Sequence, residues 1–317
     1  MIKASAMAHG KVPTPGLADY RARIADEFVY QRPLTPVLGK PLVSIITQTL
    51  NAAATVKQTI ESVRGQTYSN IEHIIVDGLS RDSTMDLVMA AQDGLGAVVQ
   101  GKDASPADAA NKGVAAARGD YITVLPSDDY VDPSYVEECL RAITESGADY
   151  VFGDLVYMEK GRPPILVPGD PNYARHILTA MPDMAAITIM YRRECFEKIG
   201  LWDLGNPYCP DYDWLLRAHI AGLKGGYNSS IRGYFRHGGV SSTNYLASLA
   251  WTRAVAIKHG AQPLRAWKTY WGGVFRKRVR DLLRAWLPAP IFYALLRKLT
   301  RSGSYPIEVN VLFKEVP

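Results

Sequence analysis

Two adjacent aspartates, Asp128 and Asp129, form the most chemically suggestive pair in the sequence. They follow the apolar run Tyr121–Leu125, which predicts a buried strand that Pro126 ends. Because ligands bind at the carboxyl ends of strands in open α/β sheets, the pair is expected in a ligand crevice. Its oxygens suit Mg²⁺ or Mn²⁺, which proteins often share with substrate phosphates. The alternative is a solvated turn in which one aspartate caps the next helix.

The chain around this pair alternates strands and helices with short connections. Leu42–Thr47 and Ile71–Val76 predict two further strands, and Asn51 is a candidate N-cap for the helix between them. This alternation predicts an α/β fold with a doubly wound, mostly parallel sheet. The polar residues that end these strands, Thr47–Thr49 and Asp77, are therefore expected at the same sheet edge as the aspartate pair.

The turn after the first strand lacks a glycine-rich phosphate loop. Thr49–Ala54 stands where a dinucleotide-binding fold has G-x-G-x-x-G, and no Walker-type motif is present. A bound nucleotide would therefore need a metal to hold its phosphates. The same absence argues against a sugar-phosphate nucleotidyltransferase, which shares the alternating architecture.

Composition and charge limit the classes of protein to which the chain can belong. The 317 residues are 47% hydrophobic with a net charge of +5, so a sizeable core is available. The basic excess lies between Arg265 and Arg301, which indicates a local basic surface and no nucleic-acid footprint. Three separated cysteines fit a reducing cytoplasm. We find no secretory signal core and no apolar stretch long enough to span a membrane.

Three regions are predicted: a leader over residues 1–40, a catalytic domain over 41–245 and a helical segment over 246–317. Leu17–Tyr30 predicts a short helix that packs on the main domain or on a partner subunit. Trp271–Leu287 predicts a basic amphipathic helix of the kind that lies in a membrane interface. The alternative is a helical pair packed on the catalytic domain with a solvated basic face.

Several spaced motifs resemble family 2 glycosyltransferases of the bacterial polysaccharide type. They are Gln66–Thr84, Ala110–Asp129, Asp211–Asp213 and Gly238–Ser241, and the resemblance covers roughly residues 41–245. It implies the GT-A fold and an inverting hexosyltransferase that uses Mn²⁺ or Mg²⁺. The implied donor is a nucleotide-diphosphate sugar, with a UDP-sugar favoured.

The resemblance also assigns residues to the donor. Asp77 matches the acid that binds the base, and Asp103 matches an acid near the donor sugar, although Asp103-Ala-Ser-Pro replaces the usual Asp-x-Gly. Lys112 is a candidate for phosphate or sugar contact. The full donor-binding set is Thr47, Thr49, Asn51, Asp77, Asp103, Asn111, Lys112 and Asp128.

The metal and the chemistry are assigned in the same way. Asp129 matches the metal-binding acid, Asp128 supports the ribose or the metal, and His237 is a possible third ligand. Asp211 matches the catalytic base, although Pro210 replaces the acid that commonly precedes it. Asp213 is the alternative base; the two differ by about 200° in direction on one helical turn, so only one is expected to face the crevice.

The implied reaction transfers a sugar to a hydroxyl of a glycan or a polyprenyl-diphosphate-linked acceptor. It would take place at the cytoplasmic face of the membrane, on the inner leaflet, and serve surface polysaccharide synthesis. The alternative class is a non-catalytic nucleotide-sugar-binding or scaffold protein. The four acids Asp77, Asp128, Asp129 and Asp211 argue against that alternative.

Overall fold

The computed structural model of the protein describes residues 15–33, 37–161, 164–237 and 245–288, together with positions 291 and 295. Within these residues ten strands form one sheet. They are β1 Phe28–Gln31, β2 Val43–Thr49, β3 Ile71–Asp77, β4 Ala97–Gln100, β5 Tyr121–Val124, β6 Tyr130–Val131, β7 Tyr150–Met158, β8 Ile165–Val167, β9 Met190–Arg192 and β10 Gly225–Arg236.

The α-helices of this region pack on the sheet or on one another. They are α1 Leu17–Ile24, α2 Val56–Arg64, α3 Thr84–Ala90, α4 Pro106–Ala116, α5 Tyr135–Ser146, α6 Arg193–Ile199, α7 Pro210–Ile220, α8 Tyr245–Lys258 and α9 Pro263–Trp286. Short 3₁₀ turns lie at Gln92–Gly94, Tyr173–Arg175 and Ala186–Thr188.

The first half of the sheet has the expected parallel arrangement. The strands lie in the order β4-β3-β2-β5, and each adjacent pair is parallel. Their apolar runs are buried on both faces, as parallel strands covered by helices require. Helix α4 lies close to β2 at Gly113, where a Cβ atom would meet Ile46 Cγ2 at 2.2 Å. The carboxyl ends of β2, β3, β4 and β5 therefore share one edge.

The second half of the sheet is mixed. β9 is antiparallel to both β5 and β7, while β10 runs parallel to β7 and antiparallel to β6. Strand β9 is only three residues long, because Ala186–Thr188 forms a 3₁₀ turn before it. The two-residue strand β6 follows the aspartate pair directly and brings it beside the end of β10.

The N-terminal segment is part of the domain. β1 pairs with β4 at the edge of the sheet, and α1 packs on α4 with Tyr20 and Ile24 buried. The Tyr20 hydroxyl and the Arg23 guanidinium both donate to the Asp108 carboxylate, at 2.6 and 2.8 Å. The helix expected over Leu17–Tyr30 therefore ends at Ile24, and a strand follows it, with both elements packed on the domain.

The C-terminal helices α8 and α9 pack against each other, and α8 also packs on α7. Helix α9 begins at Pro263, eight residues before the expected start at Trp271, and has 24 residues. In the described part of the chain, no helix is long and apolar enough to cross a membrane. The Gly238–Ser241 motif lies outside the described residues.

Candidate active site

Two loops, one after β2 and one after β3, meet at the carboxyl edge of the sheet. The Asn51 N–H donates to Ser80 Oγ at 2.8 Å, and the Arg81 N–H donates to Asn51 Oδ1 at 2.9 Å. Asn51 and Leu79 have φ values of 52° and 66°, which non-glycine residues adopt mainly where their surroundings impose them. Strain of this kind is typical of ligand-binding sites. Asn51 does not cap α2, because the helix begins at Val56 and Thr55 is its N-cap.

Asp77 is fully buried at the end of β3, and its carboxylate is saturated with hydrogen bonds. Oδ1 accepts from Thr49 Oγ1 and Ser80 Oγ, and Oδ2 accepts from the Ser80 N–H and Gln100 Nε2. A carboxylate offers about four acceptor positions, so a base N–H would have to replace one of these donors. Thr49 thus holds Asp77 instead of facing the crevice.

Three of the residues assigned to the donor are engaged inside the protein. Thr47 Oγ1 is 2.9 Å from the buried His73 Nε2, on the interior side of β2. Asn111 is fully buried and bonds through its amide to the backbone of Trp202, at 3.0 Å in both directions. Lys112 is also fully buried. A direct donor contact by any of the three does not fit these positions.

The Lys112 ammonium lies between two carboxylates and a carbonyl. It is 2.6 Å from Glu27 Oε2, 2.9 Å from Asp103 Oδ1 and 3.2 Å from the Lys102 carbonyl oxygen, to which it donates. Burial raises the pKa of Asp103, and the Lys112 charge opposes that rise. Lys112 therefore joins the N-terminal segment to the loop after β4. Because two carboxylates already neutralise its charge, it is not placed to bind a phosphate.

The position of Asp103 differs from the one that the resemblance implies. A Cβ atom on Gly78 would meet Asp103 Oδ2 at 3.1 Å, so the glycine permits this close approach beside Asp77. The loop that carries Asp103 follows β4, which lies three strands from β5 in the sheet order. Three strand spacings are about 14 Å. Asp103 therefore belongs to the Asp77 end of the crevice, away from the aspartate pair.

The aspartate pair lies at the end of β5, where helix α2 and strand β10 hold it. Thr59 Oγ1 donates to the Ser127 and Asp129 carbonyl oxygens, at 2.9 and 2.7 Å. The Arg236 N–H donates to Asp129 Oδ1 at 3.0 Å. Burial raises the pKa of Asp129 to about 8, and the neighbouring charge of Asp128 adds to the rise. This pair of carboxylates needs positive charge beside it.

The donor set at this pair fits a divalent cation that also takes substrate oxygens. Among the described residues, no group of three or more His, Cys, Asp or Glu side chains could hold a metal. His237 is exposed, and its Nδ1 bonds to the Tyr157 hydroxyl. Two carboxylates would leave most coordination positions to phosphate oxygens and water, as Mg²⁺ sites commonly do. The third ligand expected at His237 is not gathered with the pair.

The two acids of α7 have opposite environments. Asp213 is fully buried and accepts from Arg217 Nε at 2.8 Å and Lys258 Nζ at 3.0 Å, with His259 Nε2 at 2.9 Å. Asp211 is partly exposed, and its carboxylate has no hydrogen bond or ion pair with the residues that the structure describes. The arrangement leaves Asp211 as the carboxylate available for proton transfer.

The pKa values of these acids move in opposite directions. Burial raises the pKa of Asp211 to about 6. Burial also acts to raise the pKa of Asp213, but the hydrogen bond from His259 and the charges of Arg217 and Lys258 outweigh it and lower that pKa. A base with a pKa near the working pH is suited to accept a proton.

The site residues therefore follow the strand order. Asp77 and Asp103 lie at the ends of β3 and β4, the aspartate pair follows β5, and the Asp211 charge acts on Tyr191 in β9. β3 and β5 are two strand spacings apart, about 10 Å. A nucleotide laid across these ends would have its base and its phosphates at opposite ends.

Sequence reasoning missed Gln100, Ser80 and Arg236. Gln100 and Ser80 complete the hydrogen bonds of Asp77, and the sequence signal for them was only their position at or after strand ends. Arg236 holds Asp129 through its backbone, and its guanidinium lies over the Tyr130 ring at 5.7 Å. A basic residue directly before the sequence His-Gly-Gly was the available signal for Arg236.

Part of the chain is similar to known proteins. Residues 44–200 match the family described as Glycosyl transferase family 2. The glycosyltransferase GlyG of Streptococcus pneumoniae is 32% identical over 116 residues, which cover 36% of this chain and 38% of that relative. The match therefore spans less than half of the relative's length.

Two solved structures share the fold at low identity. The mannosyltransferase PcManGT of Pyrobaculum calidifontis, in complex with GDP-Man and Mn²⁺, has a TM-score of 0.57 and 16% identity over 89% of this chain and 86% of its own. S. aureus TarS 1-349 in complex with UDP-GlcNAc has a TM-score of 0.54 and 17% identity over 71% of this chain and 69% of its own.

The sheet, with acidic side chains at the carboxyl ends of its parallel strands, has the GT-A fold of these two structures. By the family match, residues 44–200 of this chain belong to glycosyl transferase family 2.

Proposed function

We propose that this protein is an inverting hexosyltransferase that uses a nucleotide-diphosphate sugar, with a UDP-sugar favoured. The observation that carries the proposal is the Asp211 carboxylate, which lies beyond β5 from the Asp77 end of the crevice and has no hydrogen bond or ion pair with the described residues. Because Asp213 is committed to three basic side chains, one base remains. One base is enough for a single displacement, which inverts the anomeric centre.

In this mechanism Asp211 accepts the proton of an acceptor hydroxyl. The acceptor oxygen forms a bond to the anomeric carbon while the bond from that carbon to the phosphate oxygen breaks, and its electron pair leaves with the diphosphate. Asp128 and Asp129 would hold Mn²⁺ or Mg²⁺, which supplies positive charge to the leaving diphosphate when it is bound. Asp77 and Asp103 would contact the base end of the nucleotide.

We further propose a lipid-linked glycan acceptor and a position on the cytoplasmic face of the membrane. The support is an exposed apolar stripe along α9: Leu264, Trp267, Trp271, Phe275, Val279, Leu282 and Trp286. These residues recur every three or four positions, so they share one face of the helix. Phe275 is 68% exposed and Trp286 81%, which is uncommon for large apolar side chains in a row.

The charge of α9 fits the same position. Its 24 residues include seven Lys or Arg and one acid, Asp281. A basic helix with tryptophans on its apolar face favours an anionic membrane surface. The loop between the 3₁₀ turns Tyr173–Arg175 and Ala186–Thr188 contacts α7, because the Tyr212 hydroxyl donates to the Ile177 carbonyl at 2.7 Å. This loop adds two exposed apolar side chains, Leu178 and Met181.

The experiment is a thermal-shift panel of UDP, GDP, dTDP and CMP, each with Mn²⁺ or with EDTA. A ligand that binds only the folded protein raises its apparent stability. We expect a metal-dependent shift for one nucleoside diphosphate, and its loss in Asp129→Ala. A shift with none of these ligands would contradict the proposal. A shift without hydrolysis of, or transfer from, any matching sugar nucleotide would favour the non-catalytic alternative.

A further inference from the structure

The guanidinium of Arg236 is a partly buried positive charge without a polar partner among the described residues. Arg236 is the last residue of β10, and its guanidinium lies 5.7 Å from the centroid of the Tyr130 ring. No hydrogen bond or ion pair joins it to a carboxylate in the described part of the chain. A guanidinium in this state favours an anion with paired oxygens.

Arg236 is attached to the aspartate pair through its backbone. Its N–H donates to Asp129 Oδ1 at 3.0 Å, and its positive charge opposes the rise in the pKa of Asp129. Tyr130, the residue that follows Asp129, packs under the guanidinium and stacks on Tyr234 at 4.6 Å. The side chain is therefore supported on one face, beside the pair that would hold a metal.

The crevice needs a positive charge besides that of a metal ion if it is to hold a diphosphate. Two carboxylates formally neutralise one divalent cation, so the charge of a nucleoside diphosphate would remain uncompensated. Lys112, the cation that the sequence suggested for this purpose, is fully buried between Glu27 and Asp103. Arg236 is the basic residue that the structure brings next to Asp129.

We propose that Arg236 binds the diphosphate of the donor and stabilises the negative charge that it gains as it leaves. The inference rests on the proposed function and adds a named cation to it. As the bond between the anomeric carbon and the phosphate oxygen breaks, its electron pair moves to that oxygen, beside the guanidinium. The proton of the acceptor goes to Asp211, so Arg236 stays protonated throughout.

The test compares UDP with UMP binding, in Mn²⁺ and in EDTA, for the natural protein and Arg236→Gln. Loss of a charge-assisted hydrogen bond is expected to weaken UDP binding about 10- to 100-fold. UMP lacks the second phosphate and should lose less. The measurements in EDTA give the metal-free baseline, at which UDP is expected to bind weakly to both proteins. Turnover at saturating donor should fall about 10²- to 10³-fold, as for other groups that stabilise developing charge.

Two further variants separate this role from a structural one. Arg236→Lys keeps the charge without the planar fork and should recover part of the UDP affinity. Arg232→Gln is the matched control, because Arg232 lies on the same face of β10 about 13 Å away. It should bind UDP and UMP as the natural protein does.

The outcomes are distinguishable. If the natural protein binds no nucleoside diphosphate at all, the proposed function fails. If it binds UDP and Arg236→Gln binds equally well, or loses UDP and UMP in equal proportion, the role of Arg236 is overturned while the proposed function stands.

Discussion

At the scale of single residues, Asp211 and Asp213 lie in the same helical turn and have different neighbours. The direction of each side chain decides which neighbours it meets. Asp213 is directed at Arg217 in the same helix and at Lys258 and His259. The contacts with Lys258 and His259 attach α7 to the end of α8. That attachment fixes the turn and leaves Asp211 on the other side of the helix.

Replacing Asp211 by Asn should abolish transfer and spare the fold. A general base contributes about 10²- to 10⁴-fold to a rate, and Asn cannot accept the proton. Nucleotide affinity in Mn²⁺ and the melting temperature should stay close to those of the natural protein. Measured turnover within tenfold of the natural value would rule out Asp211 as the base.

Replacing Asp213 by Asn, in contrast, should destabilise the fold. The substitution leaves Arg217, Lys258 and His259 without their buried carboxylate, which costs about 3 kcal/mol of unfolding free energy, at the low end because Lys258 is half exposed. Urea denaturation of the two Asn variants in parallel measures the difference. Equal stability of both variants would contradict this division of roles.

The pH dependence of turnover follows from the raised pKa of Asp211, about 6. The base works only when deprotonated, so turnover should be constant above that pH and fall about tenfold for each pH unit below it. Rates at saturating donor between pH 5 and 8 test this. UDP affinity is measured at each pH as a control, so that weaker binding is not mistaken for loss of the base.

At the scale of elements, the N-terminal segment completes the domain. β1 covers the edge of β4, and Glu27 reaches Lys112 from the turn between α1 and β1. These elements lie outside residues 44–200, the part that matches the family. The loop with Asp103 therefore takes its shape partly from residues that the family match does not include.

The ion pairs of Lys112 predict which variants around it lose the most unfolding free energy. Lys112→Met leaves Glu27 and Asp103 facing each other without a cation and should cost about 3 kcal/mol. Glu27→Gln should cost less, because Asp103 keeps its partner. The control is Lys57→Met, whose side chain is 74% exposed and should change little. Urea unfolding of the three variants would contradict this account if Lys57→Met were as destabilising as Lys112→Met.

At the scale of the whole molecule, α9 presents a stripe that the described residues do not cover. The helix is about 36 Å long, and its apolar face would lie in the plane of a membrane surface. Each basic residue near an anionic surface contributes about 1 kcal/mol. Helix α9 packs on α8, and α8 packs on α7, the helix that carries the proposed base.

Sedimentation with anionic and neutral vesicles tests this position. The protein should bind the anionic vesicles, and binding should weaken as salt is raised. The double variant Trp271→Gln/Phe275→Gln should lose vesicle binding. The control Leu38→Gln, which changes an exposed leucine outside α9, should keep it. Unchanged vesicle binding would contradict the proposal, and a change of mass in light scattering would indicate a second copy of the chain on the stripe.

The sequence alone determined the alternating half of the fold and the acids at its strand ends. Long apolar runs specify buried parallel strands whatever their distant neighbours are, so β2, β3 and β5 and the helices between them were predictable. Spaced motifs predicted roles for Asp77, Asp128, Asp129 and Asp211. The antiparallel strand β9, the two-residue strand β6 and the pairing of β1 depend on contacts between distant segments, and local pattern carries little information about them.

Only the tertiary structure decided what each polar side chain faces. Lys112 and Asn111 belong to a motif that indicated donor binding, yet helix α4 buries both against the N-terminal segment and Trp202. Asp211 and Asp213 have the same charge and nearly the same position, and three basic residues, two of them about 45 positions along the chain, distinguish them. The type of a residue sets the chemistry that it can perform. The fold of the whole chain decides which partners its side chain meets.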